Sequence, residues 1–469
     1  VGLLIRNGEI INASERFTAD LYCEDGRIVD IAGRLDPRAT GDEVIDAAGR
    51  YLLPGFIDPH VHMELPFMGT VSADDFESGT ASGIAGGTTC IIDFCIPAPG
   101  ESLLAALETW KARAAKAVTD YTFHMAITSW GPNTADEMAQ VVKKHGITSF
   151  KVFMAYKGAI MVDDDALYRV MQQAAQLGAV VTVHCENGDA VWHLQKELLA
   201  RGLTGPEYHP VSRPSAVEGE ATERALMMAR LHGATPYIVH MTCKESMHAL
   251  ERAKLAGQRC YGETCPQYLL LDDTVFARDD FEGSAFVMSP PIRPANMGHH
   301  QALWSGLRNR LLDSVGTDHC PFTFEQKKAG LGDFTKIPNG AAGIEDRLPL
   351  LHTYGVTEGR IGLERMVELG STAPARVFGL TGKGSVAVGK DADLVVFDPN
   401  GTGMRSAKTH HSKADRNVFE GYAIKGAVER TIVAGRTAFD GKRLTTTKGS
   451  GRFIARTPTH FAHHAELKP

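Results

Sequence analysis

The chain has 469 residues, of which 43% are hydrophobic and 22% charged, and carries a formal net charge of -7. That balance excludes a mainly disordered chain and supplies enough apolar side chains for a sizeable core. With no run of like charges and no stretch of about 18 apolar residues, neither nucleic acid nor a membrane is an expected partner, which leaves small molecules.

Residues 1–53, with "IRNGEIIN" and "DLYCEDGRIVDIAG", have the pattern of short strands broken by Gly and Asp turns. The opening "VGLLIRNGE" lacks the apolar core and small-residue cleavage site of an export signal, so a cytoplasmic protein is expected. Over residues 54–375, short β-branched runs alternate with stretches of helical period, the mark of repeated βα units around a parallel sheet. The strand candidates are Phe56–His62, Thr88–Phe94, Thr122–Thr128, Ser149–Met154, Val180–Cys185, Tyr237–Met241, Arg259–Glu263 and Ser314–Thr317. Between the second and third, "ESLLAALETWKARAAKA" sets Leu103, Leu107, Trp110 and Ala114 on one helical face, as a barrel-covering helix does. The expectation is an α/β chain with a (β/α)₈ TIM-like barrel. Residues 376–440 return to hairpins ("GSVAVGKDADLVVFDP", "AVERTIVAGRTAFDG"), so the two ends are expected to pair into one small β-sandwich. Residues 441–469 show no clear period and are expected to form either a frayed tail or an arm on a neighbouring subunit. The cysteines Cys23, Cys90, Cys95, Cys185, Cys243, Cys260, Cys265 and Cys320 form no C-x-x-C pair, as befits reduced, buried thiols.

His60 and His62, in "GFIDPHVH", lie two apart near the end of the first strand candidate, where alternate positions face one side and two imidazoles reach one metal. A lone H-x-H says little. Barrel active sites collect at the C-terminal strand ends, and there the sequence also places His184 ("VVTVHCEN"), His240 ("YIVHMT") and Asp318 ("SVGTDHCP"). Closure makes these side chains converge. By contrast His124 and His319 have no partner spacing and the His299–His300 pair sits in polar loop sequence, so all four are expected to be structural. Lys151, in "ITSFKVFMAYKG", sits inside an apolar strand, where an ammonium loses several kcal/mol of solvation unless paired. Either its stem is buried and its head meets a carboxylate, or burial lowers its pKa and the neutral amine adds carbon dioxide to become an anionic metal ligand. Among so many candidate ligands the second reading is preferred.

Together "GFIDPHVHMELPFMGT", "SFKVFMAYKG", "VHCEN", "VHMT", "ETCPQYL", "MSPPIR" and "GTDHCPF" resemble the dihydropyrimidinases and D-hydantoinases, cyclic amidohydrolases of the amidohydrolase superfamily, over nearly the whole chain. The resemblance implies His60, His62 and Asp318 on one zinc, His184 and His240 on a second, and carboxylated Lys151 bridging the two. It also implies that Tyr156, Ser289 and Asn339 contact the substrate, the last two chiefly through backbone groups, and that the protein is a homotetramer. With that ligand set, a hydroxide shared by two zincs attacks the ring amide of a cyclic ureide or imide. Asp318 then shuttles the proton and Tyr156 stabilises the oxyanion. Leu65, Phe67 and Phe153 follow metal-bearing strands and are expected to form an apolar wall against the ring substituent, the D form being the one the resemblance suggests.

Several relatives compete. A dihydroorotase-like H-x-H-x-R would place an arginine where this chain has Glu64, and an acid there would repel an anionic substrate. An allantoinase would lack the "VFMAY" context of Tyr156. A scaffold like the collapsin response mediator proteins would have lost metal ligands that this chain retains. Dihydropyrimidine and hydantoin present the same amide-imide edge and stay equal candidates, and manganese or cobalt suits the same ligands as zinc.

Overall fold

The computed structural model describes residues 2–463. Eight parallel strands pair in sequential order: β1 (Phe56–Val61), β2 (Thr88–Cys95), β3 (Asp120–Ala126), β4 (Ser149–Phe153), β5 (Val180–His184), β6 (Thr235–Ile238), β7 (Tyr261–Thr264) and β8 (Ser314–Val315). The sheet then closes on itself. Past β8, the Asp318 amide donates to the His60 carbonyl at 2.9 Å, and the His62 amide donates to the His319 carbonyl at 2.8 Å. Arg347 fastens the same seam from within. Its Nη1 donates to the Ile57 and Val315 carbonyls, both at 2.9 Å, and its Nη2 to Thr88 Oγ1 at 3.1 Å.

The strand order matches the sequence expectation, but several ends move. β3 begins at Asp120, which pairs with Cys90, and stops at Ala126. β6 and β8 stop before His240 and Asp318, whose backbones turn to φ values of 39° and 55° that no strand accommodates. The helices cover the barrel as their period requires. In Leu103–Ala114, capped by the Ser102 hydroxyl, the buried residues include Leu103, Leu107, Trp110 and Ala114. Asp164–Leu177 buries Leu167, Val170, Met171 and Ala174, begins at an Asp163 cap and ends at Gly178 with φ 67°. His299 and His300 are not in a loop; they open the helix His299–Arg308, with His299 buried.

Strands from both ends form a second sheet, in the order Arg436–Phe439, Ala423–Val433, Leu394–Met404, Tyr51–Pro54, Leu3–Ile11, Arg16–Glu24, Arg27–Ala32. Leu3–Ile11 takes Glu43–Asp46 along its first half and Tyr51–Pro54 along its second, both parallel, so the sheet forks there. Leu3, Ile5, Ile10, Leu21, Ile28, Leu52, Leu394, Val396 and Ile432 pack between the arms as a separate core, the sandwich expected from the two hairpin-rich ends.

The segment after residue 440 is not a frayed tail as far as residue 463. Over residues 449–463 it runs along the floor of its own barrel. The Gly449 and Gly451 amides bond to the Lys116 and Ala117 carbonyls, Arg452 and Ile454 pair with Tyr121, and the amides of Arg456, His460 and His463 reach the carbonyls of Gly146, Gly178 and Gly233, which cap three barrel helices. Arg456 is buried beneath the barrel, bonding the Phe378 carbonyl, the Phe123 carbonyl and Ser149 Oγ. Residues 464–469 lie outside the described residues. All eight cysteines are free and buried, and no helix among the described residues is long and apolar enough to cross a membrane.

Candidate metal centre

All six expected ligands line one pocket toward the C-terminal ends of the barrel strands. His60 lies within β1, His62 just beyond it, Lys151 within β4 and His184 at the end of β5. His240 and Asp318 follow β6 and β8 at left-handed backbone positions, and Tyr156 after β4 is a third, with φ 69°. Non-glycine residues held there store backbone strain, and such strain gathers at functional sites.

Asp318 Oδ1 lies 3.1 Å from His60 Nε2 and 3.2 Å from His62 Nε2. The ligand atoms of these three residues lie within 4.8 Å of one another, close enough to share one divalent cation. Across the pocket His184 Nδ1 lies 3.0 Å from His240 Nε2. Lys151 lines the same pocket, fully buried, its Nζ without a hydrogen-bond partner among the described residues and 4.9 and 4.8 Å from the ring centres of Phe94 and Phe153. Burial pushes its pKa down to about 8, against the pull of Asp318 and Glu263. Burial also lowers His62 to about 4, whereas at His60 the Asp318 and Glu263 carboxylates outweigh burial and raise it to about 9. Burial acts to raise Asp318, but the imidazoles around it hold its carboxyl well below the usual range.

Two carboxylates that the motif reading passed over orient the rings. Glu263 Oε1 accepts from His60 Nδ1 at 2.7 Å, and Glu186 Oε2 accepts from His184 Nε2 at 2.7 Å and from Arg213 Nη1 at 2.6 Å. Each bond occupies one ring nitrogen and turns the other inward, as outer partners of metal ligands do. The signal was in the sequence, since Glu186 follows His184 by two and Glu263 is an acid in a buried strand. A second acidic group, Asp120, Asp391 and Asp393, is no cation site, because Lys383 reaches all three carboxylates. His124 and His319 are structural, as expected. His124 Nε2 donates to the Pro59 carbonyl at 2.9 Å, and His319 Nε2 meets Asp74 Oδ2 at 3.0 Å.

Tyr156, Ser289 and Asn339 line the same pocket with Leu65, Phe67 and Phe153, joined by Ile96, Ile160 and Cys320. Asn339 Nδ2 donates to Ser289 Oγ at 2.9 Å. Flanking carbonyls are engaged: Val287 by the Gly340 amide at 3.0 Å, Met288 by His209 Nε2 at 2.8 Å, and Pro290 by the Tyr268 hydroxyl at 2.8 Å. Among the described residues nothing donates to the carbonyls of Ser289 and Asn339 themselves. Burial and Glu186 raise Tyr156 to about 12 although Arg213 opposes them, so its hydroxyl is a donor at neutral pH. Glu64 does not line the pocket; its Oε2 pairs with Lys116 Nζ at 2.7 Å.

Residues 51–438 match the model of the amidohydrolase family. A D-hydantoinase of Geobacillus stearothermophilus is 46% identical over 456 residues, 97% of this chain and 96% of that protein. A dihydropyrimidinase of Arabidopsis thaliana is 43% identical over 98% of this chain and 86% of its own length. The crystal structure of a dihydropyrimidinase from Brevibacillus agri superposes with a TM-score of 0.96 at 45% identity, covering 99% of this chain and all of that one. The barrel, the donor set at its strand ends and these likenesses over nearly the full length agree: the chain belongs to the amidohydrolase family, among the dihydropyrimidinases and D-hydantoinases.

Proposed function

We propose that the protein hydrolyses the ring amide of 5,6-dihydropyrimidines and 5-substituted hydantoins to N-carbamoyl amino acids. The observation that supports this most is Lys151, a fully buried amine without a hydrogen-bond partner among the described residues, in the pocket that His60, His62, Asp318, His184 and His240 also line. At a pKa of about 8 a tenth or so of it is neutral near pH 7, enough to add carbon dioxide. A C–N bond would form, the N–H proton would leave, and the carbamate would offer an anionic ligand. His60, His62 and Asp318 would then hold one zinc, His184 and His240 the other, and carboxylated Lys151 both. Bound there, the two ions supply a water activated near neutral pH and polarise the ring carbonyl.

The remaining work falls to the chain's own residues. Asp318 accepts the proton of the attacking water and returns it to the ring nitrogen as the C–N bond breaks. The Tyr156 hydroxyl donates to the oxyanion that develops on the carbonyl. The Ser289 and Asn339 carbonyls accept the ureide N–H groups and fix the ring edge. Leu65, Phe67, Phe153, Ile96 and Ile160 then face the ring substituent as an apolar wall. With the edge fixed, one enantiomer alone sets its substituent on that wall, and the D form is proposed. Because Glu64 is turned to Lys116, the H-x-H-x position offers no cation to a carboxylated ring, which disfavours dihydroorotate.

The test is a turnover panel over dihydrouracil, dihydrothymine, hydantoin, 5-substituted hydantoins, allantoin and dihydroorotate, with metal content measured on the same sample. Ring opening of the first four classes is expected. Turnover confined to allantoin or dihydroorotate would overturn the substrate assignment, and a zinc-replete protein that opens none of these rings would point to the scaffold alternative.

A further inference from the structure

We infer that Lys327 is a positioning residue for the substrate's ureide edge, because its ammonium ties together the two loops that present Ser289 and Asn339. Its Nζ donates to the carbonyls of Val287 at 2.9 Å, Pro338 at 2.6 Å and Gly340 at 2.8 Å. One acceptor lies two residues before Ser289, and the other two flank Asn339. Burial pushes the Lys327 pKa down to about 7, with Cys320 opposing, so near neutral pH ammonium and amine are both populated. Three acceptors between 2.6 and 2.9 Å match the three N–H bonds of the ammonium, whereas a neutral amine has only two to give. Lys327 is 1% exposed and forms no salt bridge among the described residues. A cation buried without a counter-charge costs several kcal/mol, and an apolar side chain would fill the space without that cost. The carbonyls it gathers explain its presence.

The lysine is itself held firmly. It ends the short helix Phe324–Lys327, which Thr323 and Gln326 cap reciprocally. Gln326 Nε2 donates in turn to Thr70 Oγ1 and the Val71 carbonyl, both at 2.7 Å, on the hairpin that carries Phe67. One turn of helix thus joins three pocket loops: two for the ring edge and one for its substituent. With the Val287, Met288, Pro290, Pro338 and Gly340 carbonyls all engaged, the Ser289 and Asn339 carbonyls are the ones without a donor among the described residues, in two residues that line the pocket. Without the ammonium, the Pro338 and Gly340 carbonyls lose their donor and Val287 keeps only the Gly340 amide, so the peptide planes beside Asn339 in particular are free to turn.

The inference rests on the proposal that Ser289 and Asn339 touch the substrate, so the experiment has two arms. A crystal structure of the zinc-loaded wild type with a hydantoin or its ring-opened product tests that proposal directly. If the ligand's N–H groups meet neither loop, the inference falls with it. The second arm measures K327M on dihydrouracil, together with zinc content, melting temperature and amide hydrogen exchange. The expected result is a fall in kcat/KM of about 10², the usual cost of a misplaced positioning group, carried mainly by KM. Zinc content should match the wild type, and faster exchange should be confined to residues 286–291 and 337–341. Substrate contacts in the crystal with an unchanged KM in folded K327M would overturn the role of Lys327 alone, as would a loss explained by missing zinc. If K327M does not fold, K327Q, which donates to at most two carbonyls, carries the same test with a smaller shift in KM.

Discussion

Replacing Lys151 by methionine leaves a side chain of similar length beside Phe94 and Phe153 and removes a group that hydrogen-bonds nothing among the described residues. Because burial takes the amine from 10.5 to about 8, the metal-free fold carries roughly 3 kcal/mol against the ammonium at neutral pH. The sign follows from the protons bound. Between about pH 8 and 10.5 the unfolded chain holds a proton that the folded chain has released, so metal-free stability rises with pH through that window; below it the penalty is full. Lys151→Met removes the penalty. With an unfolding entropy near 2.1 cal/mol/K per residue, 469 residues give about 1 kcal/mol/K, so the metal-free variant should melt about 3 °C above the metal-free wild type at pH 7. Zinc reverses the order. At a thousand times its Kd it stabilises the wild type by about 4 kcal/mol, whereas a variant without the anionic bridge gains little. Scanning calorimetry with and without chelator, with metal analysis on the same samples, reads both effects. A metal-free variant that melts below the wild type, or one that holds full zinc, refutes the reasoning.

Tyr156→Phe should lower kcat by about 10² to 10³ with zinc content intact; a changed KM at unaltered kcat would make Tyr156 a ground-state contact. Asp318→Asn keeps an oxygen ligand without the base, so it should retain more zinc than Asp318→Ala yet stay nearly inactive, and substantial turnover by the loaded variant would move the base elsewhere. Leu65→Ala, Phe67→Ala and Phe153→Ala should change relative rates on D- and L-phenylhydantoin far more than on hydantoin or dihydrouracil, each methylene contributing roughly 1 to 3 kcal/mol. Uniform changes across those substrates would show that the three side chains only pack the loops. Glu263→Gln, by loosening His60, should weaken zinc binding about 10- to 100-fold in a chelator competition, and unchanged affinity would show that packing alone sets the ring.

The ligand set was legible because each member combines an unusual residue type with a position at the end of an apolar run. Lys151 is the clearest case: a charge inside a strand needs a reason that periodicity does not supply. Strand limits were less legible, since β6 and β8 end where the backbone turns left-handed before His240 and Asp318, and residues of ordinary propensity give no notice of that turn. Lys327 and Arg213 could not be found from spacing. Their partners lie in distant loops and are carbonyls or a carboxylate that only tertiary packing brings near. Residues 449–463 have no period of their own because their hydrogen bonds go to helix ends and a strand far back in the chain.

That strap has a consequence for the order of assembly. The floor beneath β3 and β4 is completed by Arg456, which lies 333 residues after Phe123 and 307 after Ser149. Contacts of such sequence separation form late, after the costly loop closures they depend on. Until residues 449–463 dock, the carbonyls at the ends of three barrel helices and the underside of the strands stand open to water and to other chains. The nascent barrel is therefore most prone to aggregation in the interval before its own last segment seals it, and a chain cut just short of Arg452 would remain in that state.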